Sequence, residues 1–119
     1  MAYHNDLGVK GEELAVRMLM KKGYAILERN YRYQRAEIDI IAEEREQLVI
    51  VEVKTRNSDY FGDPQSFVTA TKIKHLVRAA DHYITENQIQ KEVRFDIVAV
   101  LLNKEVIKIE HYTDAFYHF

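Results

Sequence analysis

The chain has 119 residues, with 17 Lys plus Arg against 19 Asp plus Glu for a formal charge of −2, and 47% of its residues are hydrophobic. A chain of this size buries roughly two-thirds of the surface its unfolded form exposes, so a single domain spanning residues 1–119 is expected to need no staples. Zero Cys excludes disulfides and thiolate metal sites, and four Gly with one Pro exclude collagen-like and linker-rich classes. No run approaches the ~18 consecutive apolar residues of a membrane span, and the polar start MAYHNDLGVKGEE does not suit a signal peptide. A cytoplasmic protein without a membrane partner is expected. The near-neutral charge argues against a general electrostatic hold on nucleic acid, so such a partner has to meet a local basic patch. One candidate runs from Lys10 to Arg35, with seven bases (Lys10, Arg17, Lys21, Lys22, Arg29, Arg32, Arg35) against three acids (Glu12, Glu13, Glu28).

The first element reads as a helix from about Asp6 to Lys22, with Leu7, Leu14, Ala15, Met18 and Leu19 on one face and Gly23 as its stop. Three strand-like runs follow, Tyr24 to Tyr31, Ala36 to Ala42 and Leu48 to Arg56, in a meander whose last turn is the polar Glu43 to Gln47. Asn57 to Gln65 reads as a loop. A second amphipathic helix is expected from about Phe67 to Glu86, with Ile73, Leu76, Val77, Ala80, Tyr83 and Ile84 on its stripe. Val93 to Leu102 and Val106 to Ile109 form a closing hairpin. The expected order is α-β-β-β-α-β-β.

Chemistry concentrates where charge interrupts apolar strands. Leu48 to Val53 is apolar on both faces until Glu52 and Lys54, which period-two alternation puts on one side. Asp39 is embedded among isoleucines in the preceding strand, and buried charge is expensive unless partnered. A hairpin centred between Arg45 and Glu46 sets Asp39 opposite Glu52 and Glu37 opposite Lys54, about 5 Å apart on one face. Two carboxylates that close repel, and a divalent cation resolves the conflict. Hard, oxygen-liganded Mg²⁺ suits the pair best, since it is held by one or two carboxylates, waters and phosphate oxygens. Zinc suits it less, with no HExxH and five scattered histidines (His4, His75, His82, His111, His118). The Lys54 amine beside the pair can orient or deprotonate a water and neutralise charge developing on a phosphate. On the first helix, Glu12 lies about 100° from the apolar direction and Glu13 about 160° from it, so Glu12 borders the core and Glu13 faces water. Glu12 is then either a third acid of the site or, like Glu13, a charge that favours a helix start.

Gly11-Glu12, Gly23-Tyr24, Arg29-Asn30-Tyr31-Arg32, Glu37-Ile38-Asp39, Val51-Glu52-Val53-Lys54-Thr55-Arg56, Phe61-Gly62, Lys72 and Arg94-Phe95-Asp96 together resemble the bacterial YraN-like family over nearly the whole chain. These motifs are also similar to those of the restriction-endonuclease-like superfamily, including archaeal Holliday-junction resolvases. There an early helical Glu, a strand Asp and a Glu-x-Lys build a Mg²⁺-dependent phosphodiesterase site. The resemblance implies an α/β fold with a central mixed sheet flanked by two long helices. It further implies a Mg²⁺- or Mn²⁺-dependent endonuclease acting on DNA, with branched or otherwise structured DNA as a candidate substrate. Asp39 and Glu52 would hold the metal with the Val53 main-chain carbonyl, Glu12 would support it or a second ion, and Lys54 would position the attacking water. At one position, Ala36, the chain departs from the Gly usual in that family.

Around this set, Arg56 and Lys72 are candidate phosphate contacts, with ordinary pairing or solvation as the alternative. Arg29, Arg32 and Arg35, interleaved with Tyr31 and Tyr33, form a patch that combines charge with stacking surface, or else a solvated edge strand. Glu37 is expected to pair with Lys54 or to stay peripheral, and Asp96 to take a buried hydrogen-bonding or ion-pair role. Tyr112, Phe116, Tyr117 and Phe119 are expected to pack back onto the sheet, with homodimerisation through them as the alternative. Two non-enzymatic readings stand beside the nuclease: a nucleic-acid-binding module that keeps the fold without turnover, and a protein-interaction subunit using the aromatic tail.

Overall fold

The computed structural model describes residues 3–58 and 68–116, with side chains from Asp6 onward. In chain order these are α1 (Tyr3–Lys21), β1 (Ala25–Tyr33), β2 (Ala36–Glu44), β3 (Gln47–Arg56), α2 (Ala70–Glu86), β4 (Glu92–Leu102) and β5 (Ile107–Tyr112). The strands form one sheet in the order β1-β2-β3-β4-β5. Only β3 and β4 run parallel, so the sheet is mixed. A parallel pair needs a crossover, and α2 supplies it. Strands at the centre of such a unit are covered on both faces, which is why β3 and β4 carry the most continuous apolar runs of the chain.

Strand alternation divides the core in two. Val49 and Val51 join Ile40, Ala42, Val98 and Val100 beneath Ala15 and Leu19 of α1. Leu48 and Ile50 join Ile38, Ile41, Phe95 and Ile97 beneath Leu76, Ala79, Ala80 and Tyr83 of α2. One helix therefore covers each face. Gly11 lets α1 approach β3 closely: a Cβ there would lie 1.9 Å from Thr55 Oγ1. The helix ends as its Gly predicts, with Gly23 at φ +95° and the Tyr24 N–H bonding back to the Leu19 carbonyl.

Several boundaries differ from the sequence reading, among them the start of the first helix, at Tyr3 instead of Asp6. The second helix begins at Ala70, not Phe67, because Thr69 caps it by accepting the Lys72 N–H through its side chain. The first strand starts at Ala25 and continues to Tyr33, and the last begins at Ile107 and continues to Tyr112. Most of the expected Asn57–Gln65 loop, with Phe61 and Gly62, lies outside the described residues, as do Phe67, Tyr117 and Phe119. Tyr112 and Phe116 pack against the α2-side core, as expected, and the Phe116 ring sits 5.3 Å from that of Phe95. Ala36 is a buried residue of a paired strand outside the positive-φ region, so its Cβ meets no backbone strain.

Candidate active site

The β2/β3 ladder has the expected register from Glu44↔Gln47 to Ile40↔Val51 and stops there. Just beyond, β2 changes face. Ile38 belongs to the α2-side core and Ile40 to the α1-side core, so regular alternation breaks at Asp39. The neighbouring strand is irregular as well, with a bulge between Ile26 and Glu28 and Asn30 at φ +55°. The Asp39–Glu52 and Glu37–Lys54 ladder pairs of the sequence reading are therefore absent. In their place the Asp39 carboxylate enters the gap and accepts the Val53 N–H at 2.7 Å through Oδ2. A side chain has replaced a carbonyl in the ladder, which leaves the main chain satisfied and fixes the carboxylate between the diverging strands.

Glu52 follows Leu48 and Ile50 on the α2 side of β3 and is 5% exposed. Its Oε2 accepts from the Lys72 ammonium, whereas its Oε1 is buried with no hydrogen-bond partner among the described residues. Asp39 and Glu52 act on each other electrostatically. Burial first, then the Glu52 charge, pushes the Asp39 carboxyl up to about 7 against the pull of the Val53 N–H. Burial likewise raises Glu52, opposed by the hydrogen bond and charge of Lys72 and by the charge of Lys54. Lys54 is shifted down, by burial first and then by the cations Arg56 and Lys72. The result is two carboxylates and an amine shifted first by burial, with the charges of the group and of Lys72 adding to or opposing that effect.

Asp39 and Lys54 open onto a cleft of about 880 Å³, walled by α1 from Leu7 to Glu12, by Arg29, Asn30 and Arg32 of β1, and by β3 from Val53 to Arg56. Glu12 borders it and Glu13 is exposed, as the helical angles predict. Glu12 nevertheless is not free: its Oε2 accepts from Arg29 Nε and Asn30 Nδ2, each at 3.1 Å. Among the described residues no three acids or histidines come close enough to hold one ion. The structure thus brings together Asp39 and Glu52 with Lys54 and Lys72, and sets Glu12 at the rim.

Other candidates fall differently. Glu37 pairs with Arg32 at 3.5 Å, not with Lys54, because the two strands have separated before reaching it. Lys72 is the partner of Glu52, a role the sequence does not signal, since it depends on where α2 docks. Arg56 is exposed at the cleft, and Arg35 lies in the β1/β2 turn. Asp96 takes the buried ion-pair role expected of it. Arg94 grips both its oxygens at 2.9 Å, His111 Nε2 lies 2.8 Å from Oδ2, and the Asp114 N–H donates to Oδ1. Burial alone would raise its carboxyl, but those bonds from His111, Arg94 and Asp114 outweigh it and hold the group below the usual range.

The model of "Uncharacterised protein family UPF0102" matches residues 11–100, which include Glu12, Asp39, Glu52, Lys54, Lys72 and Asp96. The chain belongs to that family. UPF0102 proteins of Flavobacterium psychrophilum and Christiangramia forsetii are 57% and 56% identical to it over the full length of both chains. A UPF0102 protein of Bacteroides thetaiotaomicron is 47% identical over 98% of this chain and 97% of its own. The family, expected from the motifs, is the one to which the YraN-like proteins belong. No helix of the described residues is long and apolar enough to cross a membrane.

Proposed function

We propose that this UPF0102 protein is a Mg²⁺- or Mn²⁺-dependent phosphodiesterase of the restriction-endonuclease-like type, acting on DNA. The observation that carries this reading is the buried Glu52 Oε1, which has no hydrogen-bond partner among the described residues while its carboxylate acts electrostatically on the half-buried Asp39. An orphaned, desolvated carboxylate oxygen costs free energy that no contact among the described residues offsets, and a hard cation is a species that suits it. Asp39, Glu52 and the Val53 carbonyl form an all-oxygen donor set of the kind Mg²⁺ accepts while keeping several waters. When bound, such an ion supplies Lewis acidity and lowers the pKa of water at the site.

The chain's own groups do the rest. Lys54, with its pKa lowered, gives up its proton more readily than a surface lysine and accepts one from the attacking water; as the ammonium it neutralises charge on the phosphate. Lys72 orients Glu52 and favours its ionised form against the effect of burial. Glu12, clamped by Arg29 and Asn30, sets the negative rim of the cleft, and exposed Arg32 and Arg56 take the flanking phosphates. One observation favours a binding module without turnover: Lys72 already occupies one oxygen of Glu52, and Glu12 is engaged elsewhere. Incubation with linear, flapped and four-way-junction DNAs, with and without Mn²⁺, separates the two. Wild-type cleavage that disappears in Asp39→Ala and Lys54→Ala supports the enzyme. Binding of all substrates without cleavage by the wild type replaces it with the module.

A further inference from the structure

The β1/β2 turn and the outer side of α2 enclose a second recess, separate from the main cleft. A cavity of about 240 Å³ is lined by Tyr33, Gln34, Arg35, Ala36, His75 and Arg78. It adjoins another of about 270 Å³, to which Arg35, Ala36 and His75 also contribute, together with Glu37, Thr69, Thr71 and Lys72. Glu37 in turn borders the main cleft, and Lys72 bonds Glu52. The three recesses thus share lining residues around the start of β2, from Glu37 at the main cleft to the turn of the β1/β2 hairpin.

The recesses together have the chemistry of a polyanion track. Arg35 and Arg78 are exposed, and neither has an ion pair or hydrogen bond among the described residues, although other cations of this chain are paired. From α2, His75 and Lys72 line the same recesses, with Lys72 paired to Glu52. Beside Arg35, the Tyr33 and His82 rings are stacked with centroids 3.9 Å apart and planes 16° from parallel. Two cations without partners among the described residues, next to an aromatic platform, match what a sugar-phosphate backbone with stacking bases requires. Recesses of about 240 and 270 Å³ are each of a size to seat one nucleotide unit.

We propose that this recess holds a single strand of nucleic acid leading away from the reaction centre, with Arg35 and Arg78 on its phosphates and the Tyr33–His82 stack beneath a base. The inference rests on the phosphodiesterase reading and assigns its substrate a single-stranded arm. The test is fluorescence anisotropy in EDTA, where no turnover occurs, with a labelled oligothymidylate of about 20 nucleotides and a duplex of equal length. Arg35→Gln/Arg78→Gln is expected to weaken oligothymidylate binding about tenfold. It should also make the salt dependence shallower by about 1.4, since each phosphate contact on a single strand contributes about 0.7. Lys74→Gln, a nearby charge outside the cavities, should change binding less than about twofold. In the wild type, 5-iodouracil within the oligonucleotide should photo-crosslink to Tyr33 or His82. Equal effects of the double variant and Lys74→Gln, or crosslinks confined to the main cleft, would overturn the track and leave the phosphodiesterase reading intact. Absence of wild-type binding to any nucleic acid would overturn both.

Discussion

Asp39 is where electrostatics and backbone geometry meet. Its carboxyl, pushed from 3.8 to about 7 by burial and by Glu52, binds a proton in the folded state at pH values where the unfolded chain has released it. The folded state then carries more protons, so the stability from this group is fully present below about pH 4 and is lost as pH rises through about 7. Asp39→Asn retains an acceptor for the Val53 N–H and removes the charge. In EDTA at pH 8 it should therefore raise stability by about 2 kcal/mol, the equivalent of one to two pKa units, with the gain vanishing toward pH 4. Thermal melts of both proteins at the two pH values check this; equal melting temperatures at pH 8 would contradict it. The burial of Asp39 was legible from its isoleucine neighbours. Its bond to Val53 was not, because register arithmetic assumes a regular ladder and this residue is where the ladder ends.

At the scale of elements, the site depends on how closely α1 lies on β3. Gly11 is the contact: it faces Thr55, one residue past Lys54, and carries Glu12 to the rim. In Gly11→Ala the new Cβ overlaps Thr55, so helix or strand must shift, at a cost of about 1–3 kcal/mol typical of overpacking. Denaturant melts should show this loss. The double variant Gly11→Ala/Thr55→Ala, which removes the clashing hydroxyl and methyl, should recover part of it. No recovery would mean that the glycine serves something other than the approach to β3. Elements with strong periodicity, such as the α2 stripe of Leu76, Ala80 and Tyr83, were legible in the sequence, as was the stop at Gly23. The start of α2 was not: Thr69 caps by a local hydrogen bond that apolar periodicity does not encode. The Glu52–Lys72 pair spans 20 residues and two elements, and nothing local marks it.

Across the whole molecule, a second ionic network steadies the frame from the α1 side. Arg94 connects Asp96, the Tyr24 hydroxyl, Glu44 and Gln47, and Asp96 passes the contact to His111, whose Nδ1 meets Lys22. The end of α1 and parts of all five strands or their adjoining turns are thereby tied together behind the cleft. Asp96→Ala leaves the Arg94 guanidinium, 13% exposed, without its main partner and should cost about 3–5 kcal/mol. Because the Asp96 carboxyl lies below its ordinary value, its contribution is present above about pH 4 and is lost as pH falls through the depressed folded value. The wild-type advantage over Asp96→Ala should accordingly shrink in acid, and a constant difference from pH 7 to pH 3 would contradict the assignment. This frame holds two carboxylates together at a cost, and the proposed reason is a divalent cation. Calorimetric titration of Mn²⁺ into wild type, Asp39→Asn and Glu52→Gln at pH 8 tests that claim most directly. Saturable binding by the wild type, lost in both folded variants, is the predicted result; no saturable binding by the wild type, or equal binding by all three, would contradict it.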